Sequence, residues 1–248
     1  MPIGSPRPLS EVLVVRAGLV PYGEARAAQK RLETARVAAQ VPDLLLLLEH
    51  PPVYTRGRRS TPDELPMDED WYRAQGIEVA ETDRGGRVTY HGPGQLVGYP
   101  IISLRPYGDD VHDYVRRLEG LIIGALAEWG VDAGVSDGLT GVWTPEGRKV
   151  GSIGVHVSRG VTTHGFAINV NNDLQPFEWI VPCGIESCRM SSLACELGAA
   201  QDLDAFATTV RDRFAEIYAR TPVEVSVAEL LERVPELRVL AGPAAALP

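Results

Sequence analysis

Cysteine is scarce in this chain. Three thiols in 248 residues are an odd count and exclude a closed disulfide framework, and no charged-then-apolar leader opens the sequence. A protein of the reducing cytoplasm is the expectation. Long hydrophobic runs are also lacking: the Leu44 to Leu48 block falls far short of the roughly 20 apolar residues a membrane span needs, so no membrane partner is expected. Positive charge is in deficit, with 24 Lys and Arg against 33 Asp and Glu for a net charge of −9. That balance argues against nucleic acid, whose phosphates demand a basic face. No CxxC, HxxxH or HExxH occurs, and Cys183, Cys188 and Cys195 lack zinc-ligand spacing, so no metal is expected. The glycine-rich stretches carry no GxxxxGK[ST] phosphate cradle.

What is present is ordinary globular material, 44% hydrophobic and 23% charged, enough for one well-cored domain. Ser10 to Ala17 and "DLLLLLEH" read as buried strands, and "PYGEARAAQKRLETARVAAQ" between them as a helix with Pro21 near its start. Strand, helix, strand in that order suggests a mixed sheet. Asp109 to Trp129 is the clearest helix: Val111, Tyr114, Leu118, Leu121, Ile122, Ala125, Leu126 and Trp129 recur at helical spacing ahead of Gly130. From Val142 to Val170 short β-rich runs broken by "PEGR" and "SRG" predict antiparallel hairpins. Leu203, Phe206, Val210, Phe214 and Ile217 mark a further amphipathic helix. The fold class expected is α+β: a single domain of mixed β-sheet flanked by helices, with its chemistry on loops.

Candidate chemistry begins with "VPCG", where a proline and a glycine frame Cys183 and can present its side chain at a bend. Cys188 and Cys195, among small and apolar neighbours, are expected to be buried, inert thiols. A nucleophilic cysteine needs a group that favours thiolate. His50, His91 and His164 are available, and so is Lys149 in "GRKVGSIGV", where a lysine partly withdrawn from water can serve as acid and base. A strand lysine is more often simply solvated, and a lone histidine is as often structural as functional.

The series "RGGRVTYHGPGQLVGYPI", "GRKVGSIGVHV", "THGFAINV" and "IVPCGI", in that order and spacing, resembles the octanoyl-[acyl carrier protein]:protein N-octanoyltransferases, within the biotin/lipoate protein ligase fold. The resemblance covers roughly Leu9 to Arg220. It implies residues 9–220 as the catalytic domain. The composition of "MPIGSPRP" and "AGPAAALP" adds the expectation of a disordered N-terminal segment, 1–8, and a C-terminal extension, 221–248, with a disordered tail. The resemblance implies further that Cys183 carries an acyl thioester and that Lys149 favours its thiolate and shuttles protons. Arg84, Gly85, Gly86, Arg87, Val88, Thr89, Tyr90 and His91, then Ser152, Ile153 and Gly154, then Gly165, Phe166 and Ala167, would line the acyl and pantetheine site. Glycines there would let backbone N–H groups approach the thioester oxygen.

The implied donor is octanoyl-acyl carrier protein, and the implied acceptors are lipoyl domains of 2-oxoacid dehydrogenase complexes and the glycine cleavage H protein. No cofactor is required, because thioester to amide is downhill. An ATP-dependent lipoate or biotin ligase would share the fold but would not need a cysteine at "PCG"; a non-catalytic carrier-binding scaffold would need neither Cys183 nor Lys149. Acyl carrier proteins are acidic, so an acidic enzyme needs a local basic patch. Arg56, Arg58 and Arg59 in "YTRGRRS", with Arg84 and Arg87 nearer the thioester, are the candidates.

Overall fold

The computed structural model describes residues 11–181, 188–235 and 237. Cys183, the expected disordered segment 1–8 and the terminal "AGPAAALP" all lie outside the described residues.

The first strand, β1 (Glu11–Leu19), leads through helix α1 (Tyr22–Val37) to β2 (Asp43–Glu49), which lies parallel to it. The five leucines of β2 are divided by the two-residue period of a strand. Leu45 and Leu47 join Val12 and Val14 in one core, while Leu44, Leu46 and Leu48 join Leu13 and Val15 in the other. A run that looks uniformly apolar thus belongs to a strand covered on both faces.

Next comes a small sheet in which β3 (Val53–Arg56) is flanked by β4 (Glu78–Glu81) and β5 (Thr89–His91), with the short helix α2 (Glu69–Ala74) beside it. It packs its own aromatic cluster, including Tyr54, Tyr72, Tyr90 and Phe177. The chain re-enters the main sheet at β6 (Gln95–Ile101), antiparallel to β2.

Helix α3 (Val111–Glu128) starts at Asp110, whose carboxylate accepts from the backbone N–H groups of His112 and Asp113 and so satisfies two donors of the first turn. Six of its eight predicted core positions are buried, and Trp129 packs half-buried at the end. Val111 differs: it is 40% exposed, because the first turn of α3 overhangs a cavity described below.

The hairpins follow as β7 (Gly134–Ser136), β8 (Leu139–Trp143), the long β9 (Arg148–Ser158) and β10 (Val161–Asn169). The two-residue strand β11 (Arg189–Met190) runs parallel to the start of β9. Helices α4 (Leu193–Leu197) and α5 (Leu203–Ile217) come next. Just beyond Arg220, β12 (Thr221–Glu224) pairs in parallel with β1, and α6 (Val227–Arg233) contributes Leu230 to the core. The segment expected as a C-terminal extension therefore supplies an edge strand of the main sheet.

The described strands of that sheet run β12-β1-β2-β6-β10-β9-β8-β7, with β11 beside β9. Helices α3 and α5 cover one face, α1 and α6 the other. The mixed sheet flanked by helices is the architecture expected from the sequence. Among the described residues no helix is long and apolar enough to cross a membrane.

Candidate functional site

A cavity of about 480 Å³ opens where β9 and β10 meet the small sheet and the first turns of α3. This is the size of a small-molecule site. Its walls bring together three stretches that are far apart in sequence: 84–89 with His91, 152–155, and 164–167. Lys149, Trp143 and Leu139 line one side, Val111 and Val115 another. Strand β10 can pass this close to β6 because Gly165 lacks a side chain: a Cβ there would lie 2.3 Å from the Gly98 oxygen and 2.6 Å from Pro100 Cδ.

Lys149 is only 2% exposed. Its register partners are Trp143 on β8 and Met190 on β11, and its Nζ lies 5.2 Å from the centroid of the Trp143 ring. It is no solvated strand lysine.

Deeper in the cavity wall five rings form a chain of contacts: Tyr22, His50, His91, Tyr99 and His164. Burial holds all three histidines neutral. His50 is lowered from an ordinary 6.5 to about 4, and His91 and His164 are lowered too, again chiefly by burial. Their hydrogen bonds fix the tautomers. His50 Nδ1–H donates to the Val20 carbonyl, leaving Nε2 to accept from the Tyr99 hydroxyl, each at 2.7 Å. Gln95 donates its amide to the Tyr90 carbonyl and to Asn169 Oδ1, so its oxygen must accept from His91 Nδ1–H at 2.7 Å. His164 Nε2–H donates to Asp83 at 3.0 Å. The Asp83 carboxyl is held well below the usual range by that bond and by the neighbouring Lys30. His164 also has a positive φ of 57° within β10, a costly conformation for a non-glycine residue that clusters at functional sites. Its Nδ1 is buried without a partner among the described residues.

The loops are stitched together by arginines. Arg84 is 7% exposed, and its guanidinium donates to Thr55 O at 2.6 Å, to Thr55 Oγ1 and to Gly85 O. It is a pillar of the cavity wall and does not belong to an exposed docking patch. Arg87 pairs with the buried Glu64 at 2.6 Å, and Glu64 also accepts from Val88 N–H.

A model of the lipoyl protein ligase A/B catalytic domain matches residues 21–215. The octanoyltransferase of Mycobacterium tuberculosis is 50% identical over 205 residues, covering 82% of this chain and 85% of that one. The octanoyltransferase of Myxococcus xanthus is 41% identical over 244 residues, covering 94% and 68%. This chain belongs to the lipoyl protein ligase A/B family. Both of these relatives are octanoyltransferases, the group that the four motifs indicated. The fold agrees: a bipartite lipoate protein ligase from Thermoplasma acidophilum superposes with a TM-score of 0.73 at 18% identity, covering 94% of this chain and 93% of that one.

Within this family member the cavity gathers Lys149 and the expected binding residues except Tyr90. Alternation along β5 turns Thr89 and His91 to the cavity and Tyr90 to the aromatic cluster behind it. Sequence reasoning missed Tyr22 and Trp143, single residues outside the four motifs, and Tyr99, which lies within the first motif but was not singled out. It also placed Cys188 and Cys195 in the interior. Cys188 is half-buried, and Cys195 is exposed because the five-residue α4 buries only Leu193. Arg56 is paired with Glu69 and Glu81, which takes its charge out of the proposed carrier patch. Arg58 and Arg59 stay exposed, their backbone N–H groups bonded to Arg84 O and Gly86 O beside the cavity.

Proposed function

We propose that this protein transfers an octanoyl group from acyl carrier protein to a lysine of lipoyl domains through a thioester on Cys183. The observation that carries the reading is the withdrawal of Lys149 from water in the wall of a cavity built from the glycine-rich loops, in a chain whose relatives are octanoyltransferases. In the first half-reaction the Cys183 thiolate attacks the octanoyl thioester carbonyl. A C–S bond forms, the pantetheine C–S bond breaks, and the departing thiolate takes the proton of the Lys149 ammonium. In the second, the ε-amine of an acceptor lysine attacks the acyl-enzyme, an amide forms, and neutral Lys149 takes the amine's proton. The cysteine leaves as thiolate and the pair is restored without ATP.

Backbone N–H groups of the glycine-rich loops are suited to donate hydrogen bonds to the developing oxyanion. His91, neutral with its proton on Nδ1, offers a lone pair at Nε2 and cannot serve as a cationic donor there.

The test is intact-mass analysis after incubation with octanoyl-acyl carrier protein, with and without ATP. An octanoyl adduct mapped to Cys183, formed equally in both arms and absent in Cys183→Ser but present in Cys188→Ala and Cys195→Ala, is the expected result. An adduct on either other cysteine, or strict dependence on ATP, would overturn the reading.

A further inference from the structure

We infer that Trp143 is a positioning residue for Lys149, the face of its indole seating the lysine's ammonium against the acyl cavity. The inference rests on the acyl-transfer reading above. Trp143 and Lys149 are cross-strand partners, and the β8–β9 register shifts between Val142 and Trp143, so that Val142 faces Gly151 while Trp143 faces Lys149. The bulge inserts one extra residue, Val150, on the β9 side. Side chains of directly paired residues leave the sheet together, which sets the indole beside the lysine. The separation of 5.2 Å from Nζ to the ring centroid lies within the reach of a cation on an aromatic quadrupole.

The lysine's stem is seated by a second device. Gly141 has φ of 123°, and a Cβ there would meet the Gly151 oxygen at 2.6 Å and Lys149 Cε at 2.7 Å. The stem occupies the space that any side chain at 141 would take. Gly141 N–H is held in turn by Glu119 Oε1 at 3.1 Å, from a carboxylate on α3 that is 1% exposed and also paired with Arg116. A helix therefore anchors the strand, the strand leaves room for the stem, and the indole receives the head. None of Glu119, Gly141 and Trp143 lies in the four motifs that carry the family resemblance. The choice of an aromatic face has a chemical consequence. A π-face attracts an ammonium but cannot accept its proton, so the proton stays available for the departing thiol.

Site-specific incorporation at position 143 of tryptophans carrying one, two and three ring fluorines tests this, because fluorination weakens the ring's quadrupole with little change in shape. Two rates are read: octanoyl transfer from a small octanoyl thioester to a lipoyl domain, and alkylation of the Cys183 thiol by iodoacetamide. Both are expected to fall stepwise with fluorine count, to roughly a tenth for the trifluoro ring, with the KM for the thioester unchanged. Trp143→Phe should retain most activity, since the indole Nε1–H is buried without a partner among the described residues, whereas Trp143→Leu should lose as much as the trifluoro protein. Rates flat across the fluorine series, or equal losses in the Phe and Leu variants, would overturn the inference. Absence of any Cys183 octanoyl adduct in the unsubstituted protein would instead overturn the acyl-transfer reading beneath it.

Discussion

Lys149 has to release a proton and recover one in each turnover if it works as proposed, and that requirement separates it from a lysine that merely supplies charge. Arginine at the same place would keep a positive charge beside the thiol but cannot give up a proton near neutral pH. In Lys149→Arg, formation of the Cys183 acyl-enzyme is expected to survive in part, while amide formation with the acceptor lysine falls by roughly 100-fold or more, the range of general acid and base contributions. Rapid-quench measurement of the two half-reactions separates them. An amide-forming step as fast as in the unsubstituted protein would remove the proton-transfer role and leave an electrostatic one.

Among the elements, the junction of β1, α1, β2 and β6 is tied by a single buried ring. His50 follows the end of β2 and bonds to Val20 between β1 and α1 and to Tyr99 on β6. It stays neutral down to about pH 4 when folded, against an ordinary value of 6.5. Above 6.5 neither the folded nor the unfolded chain protonates this ring. As pH falls from 6.5 to 4 the unfolded chain gains a proton that the folded chain refuses, so stability declines through that window, by about 3 kcal/mol from this residue alone. Urea unfolding at pH 7 and pH 4.5 should show a smaller loss in His50→Gln than in the unsubstituted protein. Equal losses would mean that the ring does not titrate as its burial requires.

The whole molecule carries a net charge of −9 and, on the proposed function, must receive an acidic carrier. Long-range repulsion then has to be overcome locally. Ion pairing removes Arg56, burial removes Arg84, and Arg87 is engaged with Glu64, which concentrates the docking role on Arg58 and Arg59. Reversing both to Glu is expected to raise the KM for octanoyl-acyl carrier protein about tenfold or more while sparing a small octanoyl thioester, since only remote contacts are lost. Moderate salt should weaken the unsubstituted protein more than the reversed one. Equal KM changes for the two donors would show that this loop shapes the cavity and does not dock the carrier.

Local spacing made much of this protein legible without coordinates. Apolar runs marked β1 and β2, short β-rich runs marked the hairpins, helical spacing marked α3 and α5, and four short motifs carried the family and the expected binding residues, all of which but Tyr90 line the cavity. These features depend on neighbours a few positions apart, which a linear chain displays directly. The small sheet was not legible, because β3, β4 and β5 are three or four residues long and exist only through pairing with one another. Nor was the ring cluster, which draws Tyr22 and His164 together across 142 positions, nor the pairing that neutralises Arg56. Even Trp143, six residues from Lys149, faces it only because a bulge shifts the register by one. Charge, burial and proton affinity at the site depend on which groups the fold sets within a few ångströms of each other, and that distance is a property of packing, not of sequence order.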